Sequence, residues 1–281
     1  MKLTHHHYGK AKVRVMKVTR TGAQHSLKEL EVSVMLRGDF DASYTRADNR
    51  LVVPTDTMKN TVYVLAREEL GEETEDFGLT LGEHFLKTYP QVGQADIGLA
   101  ERVWERMAVR AQPHPHTFFQ KSAARAFAQV ACARGGSSVE SGIEDLLILK
   151  TTGSGFEGYA QDRFTTLPAT KDRIMATKLK ATWAYEKPPA RYSTTNGTIL
   201  EAMLGVFALN YSPSVQGTLF QMGEAALAAA PEISKVSLAM PNQHCLLVNL
   251  VPFGVDNPNE IFVPTDEPHG QIEGTVSRSC A

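Results

Sequence analysis

The chain has 281 residues, of which 42% are hydrophobic and 21% are charged, a composition typical of a globular protein with one large domain or two small ones. Its 29 Lys and Arg residues against 31 Asp and Glu residues give a formal net charge of -2. With no run of like charges, this composition argues against nucleic acid or an acidic membrane surface as a partner.

Neither a membrane segment nor a disulfide framework is predicted. No apolar stretch approaches the roughly 20 residues that cross a bilayer, and no cleavable signal peptide opens the chain, so we expect a cytoplasmic protein without a membrane partner. Cys132, Cys245 and Cys280 are odd in number and form no CxxC pair, so we expect reduced thiols rather than disulfides or a thiolate zinc site. The run His5–His7 is interpreted as an incidental terminal segment.

The first half of the chain begins with alternating apolar and polar residues, which predict a pair of half-buried strands. Thr55 and Asp56 are suitable N-cap residues, and the apolar positions after them recur at helical spacing. The predicted elements are strands Val13–Val18 and Leu30–Leu36 with a hairpin at Gly22, a helix beginning at Thr55 and Asp56, a helix over Leu81–Tyr89, and strands Ile97–Met107 and Ala128–Cys132.

The second half repeats this order of strands, helices and strands. Ser212 and Pro213 offer an N-cap followed by proline at the first helical position, and Pro241 predicts a bulge or bend within an apolar segment. The predicted elements are an apolar strand at Leu146–Leu149, a strand at Leu179–Tyr185, helices after Asn196 and after Ser212-Pro213, and strand segments Val236–Leu250 and Ile261–Val276.

Two successive units of this kind predict an α+β fold with antiparallel sheets and the helices on one face. Gly135 to Ser138 is the natural boundary, so we expect domains at residues 1–134 and 135–281. Each sheet has few strands and exposed edges, and association of copies into a closed barrel would cover those edges. The pattern therefore predicts an oligomer.

The segment Gly153 to Gly158 matches the GxGxxG pattern of a dinucleotide-binding turn and follows an apolar strand. A Rossmann turn opens a long helix on a parallel sheet, whereas here Pro168 interrupts the downstream segment and the next strand lacks a terminal acidic residue. A dinucleotide-dependent oxidoreductase therefore stays as an alternative that the context does not favour.

His114 and His116 would share a face of an extended segment and could form part of a metal site. A metal site needs three or four ligands, and the sequence nominates no third one, so we interpret the pair as structural. The chain also lacks a GxSxG elbow and a P-loop. We expect no metal site.

Five segments occur in the order of the urate oxidase signatures, and with them the chain resembles the urate oxidase (uricase) family over nearly its whole length. These segments are Tyr8-Gly9-Lys10, Val53 to Thr61, Phe164 to Leu167 with Asp172-Arg173, Ser214-Val215-Gln216, and Pro241 to His244. The resemblance implies oxidation of urate by molecular oxygen without a metal or organic cofactor. It also implies two tandem tunnelling-fold domains, a barrel closed by two subunits, and a homotetramer of two stacked barrels.

The resemblance further implies an active site at a subunit interface, with Thr55 and Asp56 from one chain and most other groups from its partner. The catalytic proton relay would consist of Lys10, Thr55 and His244. The substrate-binding residues would be Thr55, Asp56, Phe156, Leu167, Arg173, Val215, Gln216 and Asn242.

These side chains suit a flat, anionic purine. The Arg173 fork and the Gln216 amide can each make paired in-plane hydrogen bonds, and Phe156 can stack on the purine face with Leu167 packed nearby. Thr55-Asp56 and Val215-Gln216 lie at predicted helix N-termini, where free N–H groups favour anions. Without the motifs, Arg173 and Gln216 would be interpreted as ordinary surface residues, and Phe156 and Leu167 as core.

The relay residues also have simpler interpretations, since Lys10 alone would be a solvated lysine and His244 a core histidine. Asn242 and His244 share a strand face only if no bulge separates them. A purine-binding protein without a working relay is therefore the second hypothesis. The chain departs from the family pattern at Glu157 and Ala169, and the peroxisomal address Ser-Lys-Leu is missing from its C-terminus.

Overall fold

The computed structural model describes residues 2–278, and Cys280 lies outside them. The strands are β1 Tyr8–Thr21, β2 Gln24–Gly38, β3 Val92–Arg102, β4 Glu105–Val109, β5 Gln112–Phe119, β6 Arg125–Ala133, β7 Gly136–Lys150, β8 Met175–Tyr185, β9 Ile233–Ala239, β10 Asn242–Leu247, β11 Phe262–Gly270 and β12 Glu273–Ser277. The helices are α1 Asp41–Arg46, α2 Thr55–Glu69, α3 Thr74–Thr88, α4 Tyr192–Leu209 and α5 Val215–Ala229, with a 3-10 turn at Val251–Phe253. No helix in this range is long and apolar enough to cross a membrane.

The chain divides into two compact units. The first comprises Met1–Ile143 and Ala184–Thr194, and the second comprises Glu144–Trp183 and Thr195–Ala281. Strands β7 and β8 each supply residues to both units. Each compact unit consists of two separate stretches of the chain, so this division does not test a single domain boundary. The boundary predicted after residue 134 stays a prediction.

The first unit contains a sheet in the order β1-β2-β3-β6-β7, with antiparallel pairing from β1 through β6. Every second side chain of β2 from Leu30 to Leu36 is fully buried, which confirms the predicted alternation. Helix α3 packs on β3 and β6, and α2 packs on β1 and α3. The packing is close: a Cβ added at Gly82 would lie 2.4 Å from Cys132 Sγ.

The start of α2 differs from the prediction. The N-cap is Pro54, Thr55 is the first helical residue, and Asp56 lies in the first turn, so the prediction that Thr55 and Asp56 cap the helix was wrong. The Tyr8 hydroxyl accepts a hydrogen bond from Val53 N at 2.7 Å and donates one to Val53 O at 3.2 Å. Pro54 has φ -58 and ψ 135, which is not helical, so the helix begins only after Pro54.

Three other helices begin at residues that differ from the predicted ones. Helix α3 begins at Thr74, before the predicted Leu81. Helix α4 begins at Tyr192 rather than after Asn196, because the distant Glu73 carboxylate accepts hydrogen bonds from Ser193 N at 2.6 Å and Ser193 Oγ at 2.8 Å. Helix α5 is capped by Ser214, not Ser212, with Ser214 Oγ accepting from Gly217 N at 3.0 Å.

The strand predicted from Ile97 to Met107 is interrupted. Strand β3 ends at Arg102, and β4 pairs with β5 in a separate two-stranded sheet. Trp104 between them donates to the buried Glu29 carboxylate at 2.9 Å, which turns the chain away from the main sheet. Strand β5 carries His114 and His116, and no group of three His, Cys, Asp or Glu residues in the described part of the chain is arranged to hold a metal ion.

In the second unit, β8 pairs with both β9 and β10. Strand structure is interrupted at Met240-Pro241, between β9 and β10, which confirms the bend predicted at Pro241. Strand β10 continues into the pairing with β11, while β9 pairs with β12. Helix α5 packs on β9 and β12, and a Cβ added at Gly223 would lie 2.5 Å from Val276 Cγ2. Strand β10 therefore stays in the same sheet through β8 but leads to β11, away from the strands β9 and β12 that α5 covers.

Candidate active site

A pocket of about 670 Å³ lies in the second unit, beside the start of β10 and the loop of residues 151–174. Its lining includes five residues that the sequence nominates for substrate binding or catalysis: Phe156, Leu167, Arg173, Asn242 and His244. They come from segments up to about 90 positions apart in the chain, so the fold brings them together. Gln243, Cys245 and Glu260 also line this pocket.

The loop of residues 151–174 is held by backbone hydrogen bonds at both ends. Gly155 N donates to Ser212 O at 2.8 Å, and Ser212 N donates to Gly153 O at 2.9 Å. Phe156 and Thr170 exchange hydrogen bonds of 2.7 and 3.1 Å. These contacts fix the loop against the segment that leads into α5.

The glycines of the GxGxxG match serve this loop rather than a dinucleotide. Gly153 has φ +73, and a Cβ added at Gly155 would lie 2.2 Å from the Tyr211 hydroxyl. Residues 151–174 contain no helix, and the strands on either side do not form a Rossmann turn. The dinucleotide alternative therefore loses its structural basis.

Arg173 enters the pocket from the end of this loop. Its backbone N donates to Ser154 O at 2.7 Å, and its guanidinium carbon lies 5.3 Å from the centroid of the Phe156 ring. Its Nε is buried and has no hydrogen-bond partner among the described residues. Burial lowers the pKa of the Arg173 guanidinium from its ordinary value, because the charged form has lost part of its hydration.

The neighbouring carboxylate does not neutralise Arg173. Asp172 accepts hydrogen bonds from Thr152 Oγ1 at 2.9 and 3.0 Å and from Gly153 N at 3.0 Å. No salt bridge joins Arg173 to a carboxylate within residues 2–278. A half-buried cation without a counter-ion is a favourable position for an anionic ligand.

Phe156 and Leu167 belong to the apolar lining of the pocket, which also includes Ile174, Leu246, Leu247 and Phe262. The Tyr159 ring stacks on Phe156 with centroids 4.8 Å apart and an interplanar angle of 9°. Leu167 is 55% exposed, and its backbone carbonyl accepts a hydrogen bond from the Tyr159 hydroxyl. An exposed leucine beside an aromatic ring is compatible with a flat ligand.

Asn242 and His244 line the same pocket although a register shift separates them in the pairing of β10 with β11. Asn242 pairs with Thr177 of β8, and His244 pairs with Thr265 of β11. Two steps along β10, from Asn242 to His244, correspond to five steps along β11, from Gly270 to Thr265, so the extra residues of this shift lie on β11. Gln243 and Cys245 line the pocket too, so residues on both faces of this part of β10 border it.

Val215 and Gln216 form the first turn of α5 and do not line the pocket itself. Val215 is buried and Gln216 is exposed. Ser212, three residues earlier, is hydrogen-bonded to the pocket loop. The N-terminus of α5 is thus attached to the loop that carries Phe156 and Arg173.

The remaining nominated residues belong to the first unit. Lys10 lies on β1, and Thr55 and Asp56 open α2. The pKa of the Asp56 carboxyl is lowered first by its hydrogen bond with Lys59 and, to a smaller extent, by the charge of Lys10. The Tyr8 hydroxyl joins β1 to the segment before α2. One end of the first unit therefore presents a lysine, a threonine hydroxyl and a carboxylate.

Comparison with known proteins agrees with these signatures. The sequence profile of the uricase family matches residues 6–131 and 139–273. The chain belongs to the uricase family. The uricase from Arthrobacter globiformis is 40% identical over 271 residues, which cover 96% of this chain and 88% of that protein. The uricase from Oryctolagus cuniculus is 37% identical over 278 residues, covering 96% and 93% respectively. As a member of this family, the chain is an enzyme that oxidises urate.

Solved uricase structures share the fold. The crystal structure of uricase from Arthrobacter globiformis superposes with a TM-score of 0.95 at 39% identity and covers all of this chain and 96% of that one. A urate oxidase from Bacillus sp. TB-90 has a TM-score of 0.84 at 23% identity, a likeness that concerns the fold alone. The α+β tunnelling fold expected from the sequence is confirmed.

Sequence reasoning missed two pocket-associated tyrosines of this uricase-family chain. Tyr159 stacks on Phe156, and the Tyr211 hydroxyl donates to Lys171 O at 2.9 Å. Neither contact follows helical or strand periodicity, because both tyrosines lie in irregular segments. The only local signal was an aromatic residue three positions after Phe156.

Proposed function

We propose that this enzyme converts urate, molecular oxygen and water into 5-hydroxyisourate and hydrogen peroxide without a metal or an organic cofactor. Urate gives up two electrons, and oxygen accepts them with two protons to become hydrogen peroxide. Water supplies the hydroxyl group of the product. One observation carries this proposal: Arg173 is half-buried, has no counter-ion among residues 2–278, and lies in a pocket lined also by Phe156, Asn242 and His244.

Arg173 and Gln216 hold the edge of urate in this proposal. The guanidinium fork donates two in-plane hydrogen bonds to the anion, and the Gln216 amide donates and accepts on the purine. Ser214 Oγ caps Gly217 N, and the N–H groups at a helix start have no intrahelical acceptor. The N–H groups of Val215 and Gln216 are therefore suited to an anionic purine.

Phe156 stacks on one face of the purine, and Leu167 packs beside it. Thr55 and Asp56 contribute the start of a second helix, where the dipole again favours negative charge. Because the Asp56 carboxylate is held charged by Lys59 and Lys10, its role is to accept a hydrogen bond from a purine N–H. Two helix starts would thus hold one flat anion.

Proton removal is assigned to Lys10, Thr55 and His244 together with ordered water. Taking a proton from bound urate raises the electron density of the ring and makes it a better reductant. Oxygen is held above the ring near Asn242 and Thr55, and the resulting peroxide at the central carbon leaves and is replaced by water. The charge of Lys10 acts on Asp56 in the first unit, which supports a shared role for Lys10 and the start of α2.

The active enzyme is proposed to be a homotetramer with sites between subunits. Thr55 and Asp56 from one subunit, with Lys10 beside them, would meet the pocket residues of the partner. Family membership and the exposed apolar residues of the second unit support association, since Leu246, Val251 and Phe253 are 56, 76 and 78% exposed.

Oxygen uptake tests the reaction directly. Protein dialysed against a chelator and given only urate should consume oxygen, produce one peroxide per urate, and show the transient absorbance of the hydroxylated product. Loss of activity after chelation, with recovery on adding one specific metal, would contradict the cofactor-free reaction. Urate binding without oxygen uptake would instead support a non-catalytic purine-binding protein.

Mixed oligomers test the shared site. Thr55→Ala and Arg173→Gln homo-oligomers should each contain only damaged pockets. When the two variants are coexpressed, two-fold symmetry places both substitutions in one pocket and neither in another. Random assembly should therefore restore roughly a quarter of the pockets. If purified mixed tetramers are no more active than the parents while both variants are folded, the shared site is wrong.

A further inference from the structure

The face of Phe156 that is available to a ligand is decided by Tyr159. The two rings are nearly parallel, with centroids 4.8 Å apart and an interplanar angle of 9°, which is the offset-stacked arrangement that aromatic pairs prefer. A ring has two faces, and Tyr159 covers one of them. A purine that stacks on Phe156 therefore has to use the opposite face.

Tyr159 also contacts Leu167, another apolar residue of the pocket lining. Its hydroxyl donates a hydrogen bond to the Leu167 carbonyl. Because the Leu167 side chain is 55% exposed, packing alone does not fix where this residue lies. Tyr159 thus connects, through its ring and its hydroxyl, the two residues that would border a flat ligand.

The rest of the loop makes this connection specific. Phe156 is fixed to Thr170 by two backbone hydrogen bonds, whereas residues 157–169 between them form no regular helix or strand. Thr165 and Asp162 form a local turn through hydrogen bonds of 2.9 to 3.1 Å. Within this irregular segment, Tyr159 is the side chain that reaches both Phe156 and Leu167.

We infer that Tyr159 is a positioning residue for urate, which it acts on through Phe156 and Leu167 rather than by direct contact. This inference rests on the proposed function of the same pocket. The ring of Tyr159 supports Phe156 from behind, and its hydroxyl holds Leu167 at the edge of the purine slot. Pre-positioning both residues lowers the ordering cost of binding, so Tyr159 should affect affinity more than turnover.

Two substitutions separate the two contacts. Tyr159→Phe removes the hydroxyl and keeps the stacked ring, while Tyr159→Leu removes both. Tyr63→Phe is the matched control, because Tyr63 is a 43% exposed tyrosine of α2 whose hydroxyl has no hydrogen bond within the described chain. For each protein, calorimetry with xanthine, a purine that serves here as a non-reacting probe, gives Kd, and oxygen uptake gives KM and kcat for urate.

Tyr159→Phe should raise the KM for urate and the Kd for xanthine about fivefold, the effect of losing one neutral hydrogen bond. Tyr159→Leu should raise both at least about tenfold, since an aromatic pair is lost as well. In both variants kcat should stay within about twofold of the wild type, because the relay is untouched. Tyr63→Phe should match the wild type.

Three results would overturn the inference. The first is wild-type KM and Kd in both folded Tyr159 variants, and the second is a fall in kcat without a change in KM. The third is tighter xanthine binding by Tyr159→Leu, which would mean that Tyr159 competes with the purine for Phe156. If Tyr159→Leu fails to fold, the KM and Kd of Tyr159→Phe alone test the inference. Wild-type protein that binds xanthine but consumes no oxygen with urate contradicts the proposed function instead, and the Kd comparison still tests Tyr159.

Discussion

Replacing Arg173 by glutamine should weaken urate binding strongly while leaving the folded protein as stable as before. Glutamine keeps most of the aliphatic stem and removes the charge and the fork, including the guanidinium carbon that lies 5.3 Å from the Phe156 ring centroid. Arg173 has no salt bridge to lose within residues 2–278, and its Nε is buried without a partner. Removing an unpaired, half-buried cation therefore breaks no protein–protein ion pair.

The size of the binding effect follows from the contacts proposed for the fork. A hydrogen bond to a charged group contributes about 1.5 to 3 kcal/mol, which corresponds to an increase in Kd of about 10-fold to 150-fold. Because the guanidinium is half-buried and already partly desolvated, we expect the upper part of this range. The melting temperature of Arg173→Gln should remain within about 2 °C of that of the wild type.

Calorimetry with a purine ligand and thermal unfolding measure the two quantities independently. Arg163→Gln is the matched control, since Arg163 is an exposed arginine of the same loop whose guanidinium lies 4.6 Å from the Phe164 ring centroid. It should bind as the wild type does. Normal affinity in folded Arg173→Gln would refute the assignment of Arg173 to the anion. A large fall in the melting temperature of Arg173→Gln would refute the claim that no ion pair of Arg173 stabilises the fold.

Two further predictions concern the first unit. A Cβ at Gly9 would lie 1.8 Å from Val34 O, so Gly9→Ala should lower the free energy of unfolding by about 1 to 3 kcal/mol and reduce activity by displacing Lys10. Gly71→Ala is the control and should be nearly neutral, because a Cβ there would meet nothing within 4 Å. Urea unfolding and oxygen uptake compare the two variants. Burial, with Asp76 and Glu75 nearby, raises the pKa of Tyr192 from 10.0 to about 12, so its contribution to stability is fully present below pH 10 and is lost as the pH rises through 12. Between pH 9 and 11 the wild type should lose about 1 kcal/mol more than Tyr192→Phe, and equal losses would contradict this.

The sequence alone determined the elements that depend on near neighbours in the chain. Period-two alternation located β2 with its buried face from Leu30 to Leu36, and helical spacing located α2 and α5. The ordered motifs identified the family. Five nominated residues lie around one pocket, although their individual roles stay predictions.

Only the tertiary structure decided where the irregular segments lie. Helix α4 begins at Tyr192 because Glu73, 120 residues before Ser193, accepts its N–H, and no local rule contains that partner. The loop of residues 151–174 is fixed by Ser212 and Tyr211, and Tyr159 reaches Phe156 through a turn without periodicity. Periodicity predicts which face a residue occupies within a helix or strand. Contacts between distant segments depend instead on where the folded backbone brings their hydrogen-bonding groups together. No short window of the sequence contains that information.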